Sequence, residues 1–379
     1  MTTPRTFGLP VRGRLWAWAA AAAVLAYDVA TMSRDLSFYD SAELAMVAAQ
    51  GGLGHPVGQP LHTLLGWLAA GALPTLWALN LLSAVPTALM VVPLTSLAER
   101  MAPDAPRWVA PAVLAALLVH PVFWENGSRV EVYALAGFLA VWAVARMADA
   151  LERGRGWFLA GLALGLCAAA NPYTAIIAAV AAGPALLWAL VKGRIGLRGV
   201  IGALLGGPVG MLPYVYVPLV AGRDQVFVWG QPIDGPSVRF YFSGADFGHN
   251  RSATAGLVLD HVVDWLGYAA DAGLLPLLVV GGGAALLLGR DLQVGRAYGL
   301  IAAGLTVLLL ASNAIFHPAI PDYAGYLAPP FGVLAACVAG LVARLAAGEE
   351  RLPLLGAAMG AAVILAGWLA PPVIWARTR

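Results

Sequence analysis

The chain has 379 residues, of which 60% are hydrophobic and only 11% are charged, and its mean hydropathy is +0.79. This composition excludes an ordinary soluble domain, in which charged residues make up about a quarter. The formal net charge of +2 is too small to indicate a nucleic-acid partner. Cys167 and Cys337 are the two cysteines, and both lie in apolar runs, so neither a disulfide framework nor a thiolate metal site is predicted.

Apolar segments predict where the chain crosses a bilayer, because about 20 such residues span the hydrocarbon core as a helix. The first segment, 15–33, follows several arginines as a signal peptide would, but it lacks a convincing cleavage site and is interpreted as a retained span. The other predicted spans are 75–97, 107–123, 131–148, 157–170, 172–191, 198–220, 263–289, 297–312, 323–345 and 352–374. We therefore predict an all-α polytopic membrane protein, with a single transmembrane domain over 1–379 and about eleven helices.

The charges predict the orientation of these spans. With a cytoplasmic N-terminus, most of the 22 lysine and arginine residues fall on the inner side, in agreement with the positive-inside rule. The acidic residues gather mainly at the opposite ends of the spans. Two long loops, about 34–74 and 221–262, then lie on the periplasmic or extracellular side of the cytoplasmic membrane, and function is expected there.

The first outer loop contains a pair of carboxylates at the start of a helix predicted from Ser41 to Gly51. Asp40 is a preferred N-cap residue, and Glu43 stands where a capping-box glutamate reaches back to the cap. Ionisable groups at the aqueous end of a membrane bundle are also functional-site candidates. We favour a catalytic role for Asp40, whereas Glu43 is a helper base, a sugar ligand or only the cap.

The sequence His55-Pro-Val-Gly-Gln-Pro60 follows that helix and cannot be helical, because two prolines and a glycine force an extended turn. His55 is either an exposed loop histidine or a residue that donates to a phosphate or orients Asp40. His62, which begins the next apolar run, is predicted to be structural.

Three further polar segments lie at predicted helix ends. Arg129 and Glu131 form a salt link, or they face an anionic headgroup and a sugar or acceptor, with Tyr133 on an adjacent face of the helix. Asn171 begins a short polar break between two apolar segments, for which a plain turn is the favoured interpretation. Near the C-terminal end, His317 and Asp322 bracket two prolines and Tyr326 follows one turn later; a helix cap and a site contribution are both open.

The second outer loop, 221–262, contains three arginines, two aromatic residues and a glutamine that could contact a substrate, namely Arg223, Trp229, Gln231, Arg239, Tyr241 and Arg251. Arginines form charge-assisted bonds to phosphate, and aromatic rings stack on sugars or isoprenoids, although a solvated loop also tolerates them. No Walker loop, dinucleotide fingerprint, zinc-protease motif or nucleophile elbow occurs. We expect no cofactor and leave a divalent metal open, because spacing alone does not define an oxygen cage.

Six segments form an ordered pattern: FYDSAELAMVAA, GHPVGQPLHTLLG, SRVEVYAL, NPYT, VWGQP with RFYFSGADF, and PDYAGYLAP. They resemble, in the same order and over about residues 30–335, the DUF2723 family, which is similar to protein O-mannosyltransferases of the GT-C glycosyltransferase superfamily. The chain departs from the family pattern by having Ala42 for a glycine, Val57 for a proline, Gln59 for a tyrosine and Pro172 for a histidine.

The resemblance implies an inverting transfer of a sugar, with a mannose-like hexose favoured, from a polyprenyl-phosphate donor to a hydroxyl on a protein or envelope glycan. Asp40 matches the position of the superfamily's catalytic carboxylate and would act as general base. The residues proposed to bind the donor phosphate or substrate are His55, Arg129, Glu131, Tyr133, Asn171, Arg223, Trp229, Arg239, His317, Asp322 and Tyr326.

A membrane transporter or a flippase for a lipid-linked sugar or small solute is the alternative function. Such a protein should show charge near mid-span and internal repeats. The acidic residues here gather at one face instead, which favours an enzyme. The expected partners are the lipid donor, the acceptor and the bilayer, without nucleic acid.

Overall fold

The computed structural model describes residues 11–37, 40–224, 226–246, 254–287, 294, 299 and 322–348. In this part of the chain the structure is helical, and the strand-like pairing consists of a bridge between Leu53 and Val228. The predicted all-α architecture is therefore confirmed over the described residues. Arg251 and His317 lie outside them.

The helices in chain order are α1 (Val11–Thr31), α2 (Ser41–Gln50), α3 (Pro60–Ala70), α4 (Thr75–Leu89), α5 (Val91–Met101), α6 (Val109–Leu118), α7 (Pro121–Gly127), α8 (Tyr133–Arg153), α9 (Trp157–Ala170), α10 (Pro172–Val191), α11 (Leu197–Gly210), α12 (Tyr216–Val220), α13 (Gly235–Ser243), α14 (Ala255–Asp271), α15 (Leu274–Leu287) and α16 (Asp322–Ala346). A short 3₁₀ turn, Leu212–Val215, joins α11 to α12.

Five helical stretches are long and apolar enough to cross a membrane: Thr75–Met101, Tyr133–Arg153, Pro172–Val191, Leu197–Val220 and Gly325–Ala346. They agree with five of the predicted spans. The described part contains up to 7 crossings if two bent helix pairs each count as one. The predicted spans 297–312 and 352–374 lie outside the described residues, and the expected number of about eleven is not confirmed.

Two predicted spans are each divided between two helices that meet at a sharp bend. The segment 107–123 forms α6 and α7, which are bent by 72°, and the segment 263–289 falls on α14 and α15, which are bent by 93°. Pro121 opens α7, where its missing N–H needs no partner, and the His120 side chain accepts a bond from the Val122 N–H. Gly273 permits the second bend with φ +68°. Apolar length alone does not reveal such breaks.

The centre of the bundle is α16, which packs against α5, α6, α8 and α15 and is almost entirely buried. At the periphery, α11 exposes large apolar side chains, including Leu197, Leu204 and Leu205. An outward apolar surface of this kind suits contact with lipid tails rather than with water. The described helices therefore fit a multi-pass membrane protein.

Helix α2 is attached to the bundle on one side by apolar packing and by one buried hydrogen bond. Leu44 and Ala48 of α2 form a buried cluster with Val130 and Tyr133. The Ser41 hydroxyl donates to the Val130 carbonyl at 2.8 Å. This anchorage fixes the carboxylates at the start of α2 relative to the start of α8.

Candidate functional site

Asp40 lies directly before α2, but its side chain does not act as a cap. The Asp40 carbonyl accepts from the Leu44 N–H at 2.8 Å, which starts the helix, whereas its carboxylate forms no capping bond. The carboxylate is 39% exposed. The capping interpretation of the Asp40 side chain is therefore wrong, and this carboxylate remains accessible for chemistry.

Glu43 lies one turn into α2 and points to the following turn rather than back to the cap. One of its oxygens accepts the His55 backbone N–H at 2.6 Å, and both oxygens lie 3.3 Å from His55 Nδ1. A capping box is absent at this helix start. Of the roles left open for Glu43, the structure excludes the cap and places the residue beside His55.

His55 lies between the two carboxylates and is only 15% exposed, so it is not an ordinary surface histidine. Its Nε2 is 3.6 Å from Asp40 Oδ2 and 3.3 Å from Gln59 Nε2. The predicted non-helical turn is confirmed, and α3 begins at Pro60. Gly58 has φ +69°, and a Cβ there would lie 2.6 Å from the Tyr241 hydroxyl oxygen, so glycine is required at this position.

The second outer loop meets the first through backbone pairing. The Leu53 N–H donates to the Phe227 carbonyl at 2.8 Å, and the Trp229 N–H donates to the Leu53 carbonyl at 3.0 Å. A Cβ at Gly52 would lie 2.2 Å from the Phe227 carbonyl oxygen, so this contact excludes any larger residue. The two predicted loops thus form one structure around the turn.

Trp229 is brought to the site by this pairing. Its ring lies edge-on to the His55 ring, with 6.4 Å between the centroids. Its indole N–H donates to Asp246 Oδ2 at 3.0 Å. Trp229, a candidate from the sequence, therefore has a fixed position beside His55, which itself contacts both carboxylates.

Tyr241 of α13 holds the two loops together. Its buried hydroxyl donates to the Gly54 carbonyl at 2.8 Å. Burial raises the pKa of Tyr241, because the phenolate would be poorly solvated, and the hydroxyl therefore remains a donor at neutral pH. The sequence alone identifies Tyr241 only as one of the aromatic residues of the loop.

Replacing Tyr241 with Phe is expected to destabilise the docking of the second loop by about 1–3 kcal/mol, because the Gly54 carbonyl loses its buried donor. Limited proteolysis within 221–246 of the full chain measures this effect, and cleavage should accelerate while the helix bundle stays intact. The matched control is Tyr173→Phe, at a tyrosine that is 36% exposed at the start of α10. Equal cleavage of the two variants would contradict the prediction.

Several candidate residues form structural pairs instead of joining the cluster. Arg129 Nη2 lies 3.4 Å from Glu131 Oε1, and both side chains are buried, as the salt-link interpretation predicted. The Tyr133 and Tyr326 rings pack edge to face at 5.0 Å. Asn171 accepts from the Thr174 N–H at 3.0 Å and caps α10, which supports the turn interpretation.

Two arginines of the second loop remain exposed. Arg223 follows α12 and lies close enough to Tyr216 for an electrostatic interaction. Arg239 lies on an exposed face of α13. No described ion pair or hydrogen bond joins either side chain to Asp40. Asp322 begins α16, although its side chain lies outside the described part of the chain.

Two participants are not among the candidates chosen from the sequence. Gln59 had stood out only as a departure from the family pattern, and Asp246 belongs to the SGADF segment. The glycines at 51, 52, 54 and 58 were the available signal, because closely spaced glycines often mark close backbone approach. His62 is fully buried in α3, and burial lowers its pKa to about 4, in agreement with a neutral structural histidine.

Residues 40–193 match the family model described as the N-terminal domain of protein O-mannosyl-transferase TMEM260. Crystal structures of ArnT from Cupriavidus metallidurans are also similar to this chain. The apo form gives a TM-score of 0.59 at 16% identity, covering 96% of this chain and 76% of ArnT. The form bound to undecaprenyl phosphate gives 0.57 at 17%, covering 96% and 77%.

The family match confirms the resemblance to protein O-mannosyltransferases over residues 40–193, and the structural matches show a fold similar to that of ArnT. At such identities the similarity to ArnT is one of fold. The family match begins at Asp40 and includes Glu43, His55 and Arg129, whereas the second loop lies beyond it.

Proposed function

We propose that this chain transfers a sugar, with a mannose-like hexose favoured, from a polyprenyl-phosphate donor to a hydroxyl on a protein or envelope glycan. The reaction takes place at the outer face of the cytoplasmic membrane. The main observation in support of this proposal is the state of the Asp40 carboxylate, which is 39% exposed, does not cap α2 and lies 3.6 Å from His55 Nε2. The family match to a protein O-mannosyl-transferase domain supports the reaction class.

In the proposed step, Asp40 takes the proton of the acceptor hydroxyl as its oxygen attacks the anomeric carbon. The bond from that carbon to the phosphate oxygen breaks, and the lipid phosphate leaves with the electron pair, so that the configuration inverts. A well-placed general base contributes about 10²- to 10⁴-fold to such a rate. A lipid phosphate as leaving group is in keeping with ArnT, whose structure contains undecaprenyl phosphate.

The other residues have distinct proposed roles. Glu43 orients His55 through Nδ1, which leaves Nε2 facing Asp40. Trp229 offers an aromatic face for the sugar or isoprenoid and is anchored by Asp246. The exposed Arg223 and Arg239 are the proposed phosphate ligands, because guanidinium groups stabilise charge on a leaving phosphate.

The experiment is a transfer assay with the purified full chain in proteoliposomes, supplied with polyprenyl-phosphate mannose and envelope protein from cells that lack this chain. We expect release of polyprenyl phosphate together with new hexose on protein, identified by mass spectrometry. The matched control uses liposomes without the chain. Solute counterflow or lipid flipping without glycoside product would overturn the transferase and favour the transporter.

A further inference from the structure

We infer that Asp40, Glu43, His55 and Gln59 form a binding site for one divalent transition-metal ion of the Mn²⁺ or Zn²⁺ class. One potential ligand atom from each of Asp40, Glu43 and His55 lies within 4.8 Å of the other two. His55 Nε2 and Asp40 Oδ2 are 3.6 Å apart. Ligand atoms around a tetrahedral Zn²⁺ are about 3.3 Å apart, given bond lengths near 2.0–2.1 Å. Small side-chain adjustments therefore suffice to enclose an ion.

The two nitrogens of His55 have different surroundings, and these define the site. Nδ1 lies 3.3 Å from both Glu43 oxygens, so its N–H is the donor to that carboxylate. Metal-bound histidines generally donate their second ring N–H to a carboxylate, which fixes the tautomer and the ring orientation. Nε2 is then the metal-facing atom, and it points to the more exposed Asp40.

Gln59 provides an independent indication that an ion belongs here. Its side chain is 6% exposed, and the buried Oε1 forms no hydrogen bond. A Cβ at Gly54 would lie 3.6 Å from Gln59 Oε1 and 3.1 Å from Glu43 Oε1, so the two oxygens occupy the same side of the turn. The amide nitrogen lies instead toward His55 Nε2, at 3.3 Å.

Amide O and N positions are assigned from their hydrogen bonds, so the Gln59 amide can also be turned over, which gives its unpaired oxygen a different neighbour. The NH₂ group then faces the Glu43 side, and the carbonyl oxygen faces His55 Nε2. An acceptor oxygen and an acceptor nitrogen that face each other in this way need either a proton or a metal ion between them. A metal ion bound by Gln59 Oε1, His55 Nε2 and Asp40 gives each of these three ligands a positive partner. The competing explanation is that His55 is an imidazolium, whose Nε2–H donates to the Gln59 oxygen.

Charge around the site favours the ion. Within the described residues, the ion-pair contacts of Asp40 and Glu43 are with His55 alone. Two carboxylates would repel an anionic lipid phosphate, and a divalent cation offsets this repulsion. This catalytic consequence rests on the proposed function, whereas the ligand geometry does not.

The donor set selects the class of metal. Imidazole suits Zn²⁺ and related transition metals, carboxylate and carbonyl oxygens suit Mn²⁺ as well, and Ca²⁺ prefers cages made of oxygen alone. One imidazole with carboxylate and amide oxygens therefore indicates Mn²⁺ or Zn²⁺ over Ca²⁺ or Mg²⁺.

The test uses the purified full chain in detergent, stripped with a chelator and then titrated with MnCl₂, ZnCl₂, MgCl₂ or CaCl₂. Bound metal is measured by atomic emission and affinity by calorimetry, and the spin-echo spectrum of bound Mn²⁺ reports coupling to a histidine nitrogen. We expect one Mn²⁺ or Zn²⁺ per chain, with nitrogen coupling. His55→Ala should abolish that coupling, and Glu43→Gln should weaken binding about 10- to 100-fold, since it removes the support of the histidine.

Asp35→Asn is the matched control, because it removes an exposed carboxylate from the same loop outside the cluster and should bind metal as the parent chain does. Thermal unfolding checks that each variant is folded, and Gln59→Leu provides a second ligand variant should His55→Ala not fold. Absence of stoichiometric binding, equal affinity for Ca²⁺, or equal binding by His55→Ala would overturn the proposal and favour the imidazolium. Bound metal without sugar transfer would contradict the proposed function alone, and sugar transfer by a chain that binds none of the four metals on titration would contradict the metal site alone.

Discussion

Replacing Asp40 with Asn is expected to lower the rate of sugar transfer by about 10²- to 10⁴-fold, because the amide does not accept the proton of the acceptor hydroxyl. The fold should persist. The carboxylate forms no capping bond and is 39% exposed, and substitutions at such surfaces usually change stability by about 0.5 kcal/mol or less.

The measurement is initial transfer velocity as a function of acceptor concentration, with thermal unfolding followed in parallel. Loss of a base lowers kcat, whereas loss of a binding residue raises KM. Asp35→Asn is again the control, and Asp40→Glu tests whether a displaced carboxylate restores part of the rate. Activity of Asp40→Asn within twofold of the parent would remove Asp40 from the role of base.

Metal content separates the two proposed roles of Asp40. If Asp40→Asn loses both the metal and the activity, excess metal should restore binding without restoring transfer, since the amide oxygen can ligate an ion but is not a base. Recovery of the full rate on addition of metal would instead make Asp40 a ligand alone.

Local sequence patterns were sufficient to predict the first half of this site. The helix predicted from Ser41 to Gly51 corresponds to α2, and Gly51 forms its left-handed C-cap at φ 66°. Such boundaries depend on residues close in sequence, and the turn from His55 to Pro60 followed from proline and glycine chemistry.

The remaining contacts depend on distances that no local pattern encodes. The position of Glu43, three residues after Asp40, allows either a capping box or a contact with His55. Only the path of the turn that follows α2 decides between them. The pairing of Leu53 with Phe227 joins residues that are far apart in the chain. In the sequence this pairing is indicated only by the glycine at position 52, where a Cβ would meet the Phe227 carbonyl oxygen.

Arginine roles also required the three-dimensional structure. Arg129, Arg223 and Arg239 were equivalent phosphate ligands on the basis of residue type. In the structure Arg129 is buried against Glu131, whereas the other two are exposed. We therefore expect Arg129 to stabilise the fold, because it is buried against a carboxylate, and the exposed pair to be available to an anionic substrate.

Arg129→Met is therefore expected to destabilise the protein by about 3–5 kcal/mol, because it leaves the Glu131 carboxylate, which is only 1% exposed, without its cationic partner. The double variant Arg129→Met with Glu131→Gln should recover much of this loss, since the buried charge is then gone. Thermal and denaturant unfolding of the full chain in detergent measure both effects.

Arg107→Met is the matched control, because Arg107 pairs with Glu99 at 3.6 Å but its side chain is 37% exposed. Pairs of that kind contribute about 0–1 kcal/mol. A large difference between the two methionine variants would establish burial as the cause. If Arg129→Met kept its stability and lost transfer, Arg129 would instead be a phosphate ligand, and the salt link to Glu131 would be a resting contact that the donor displaces.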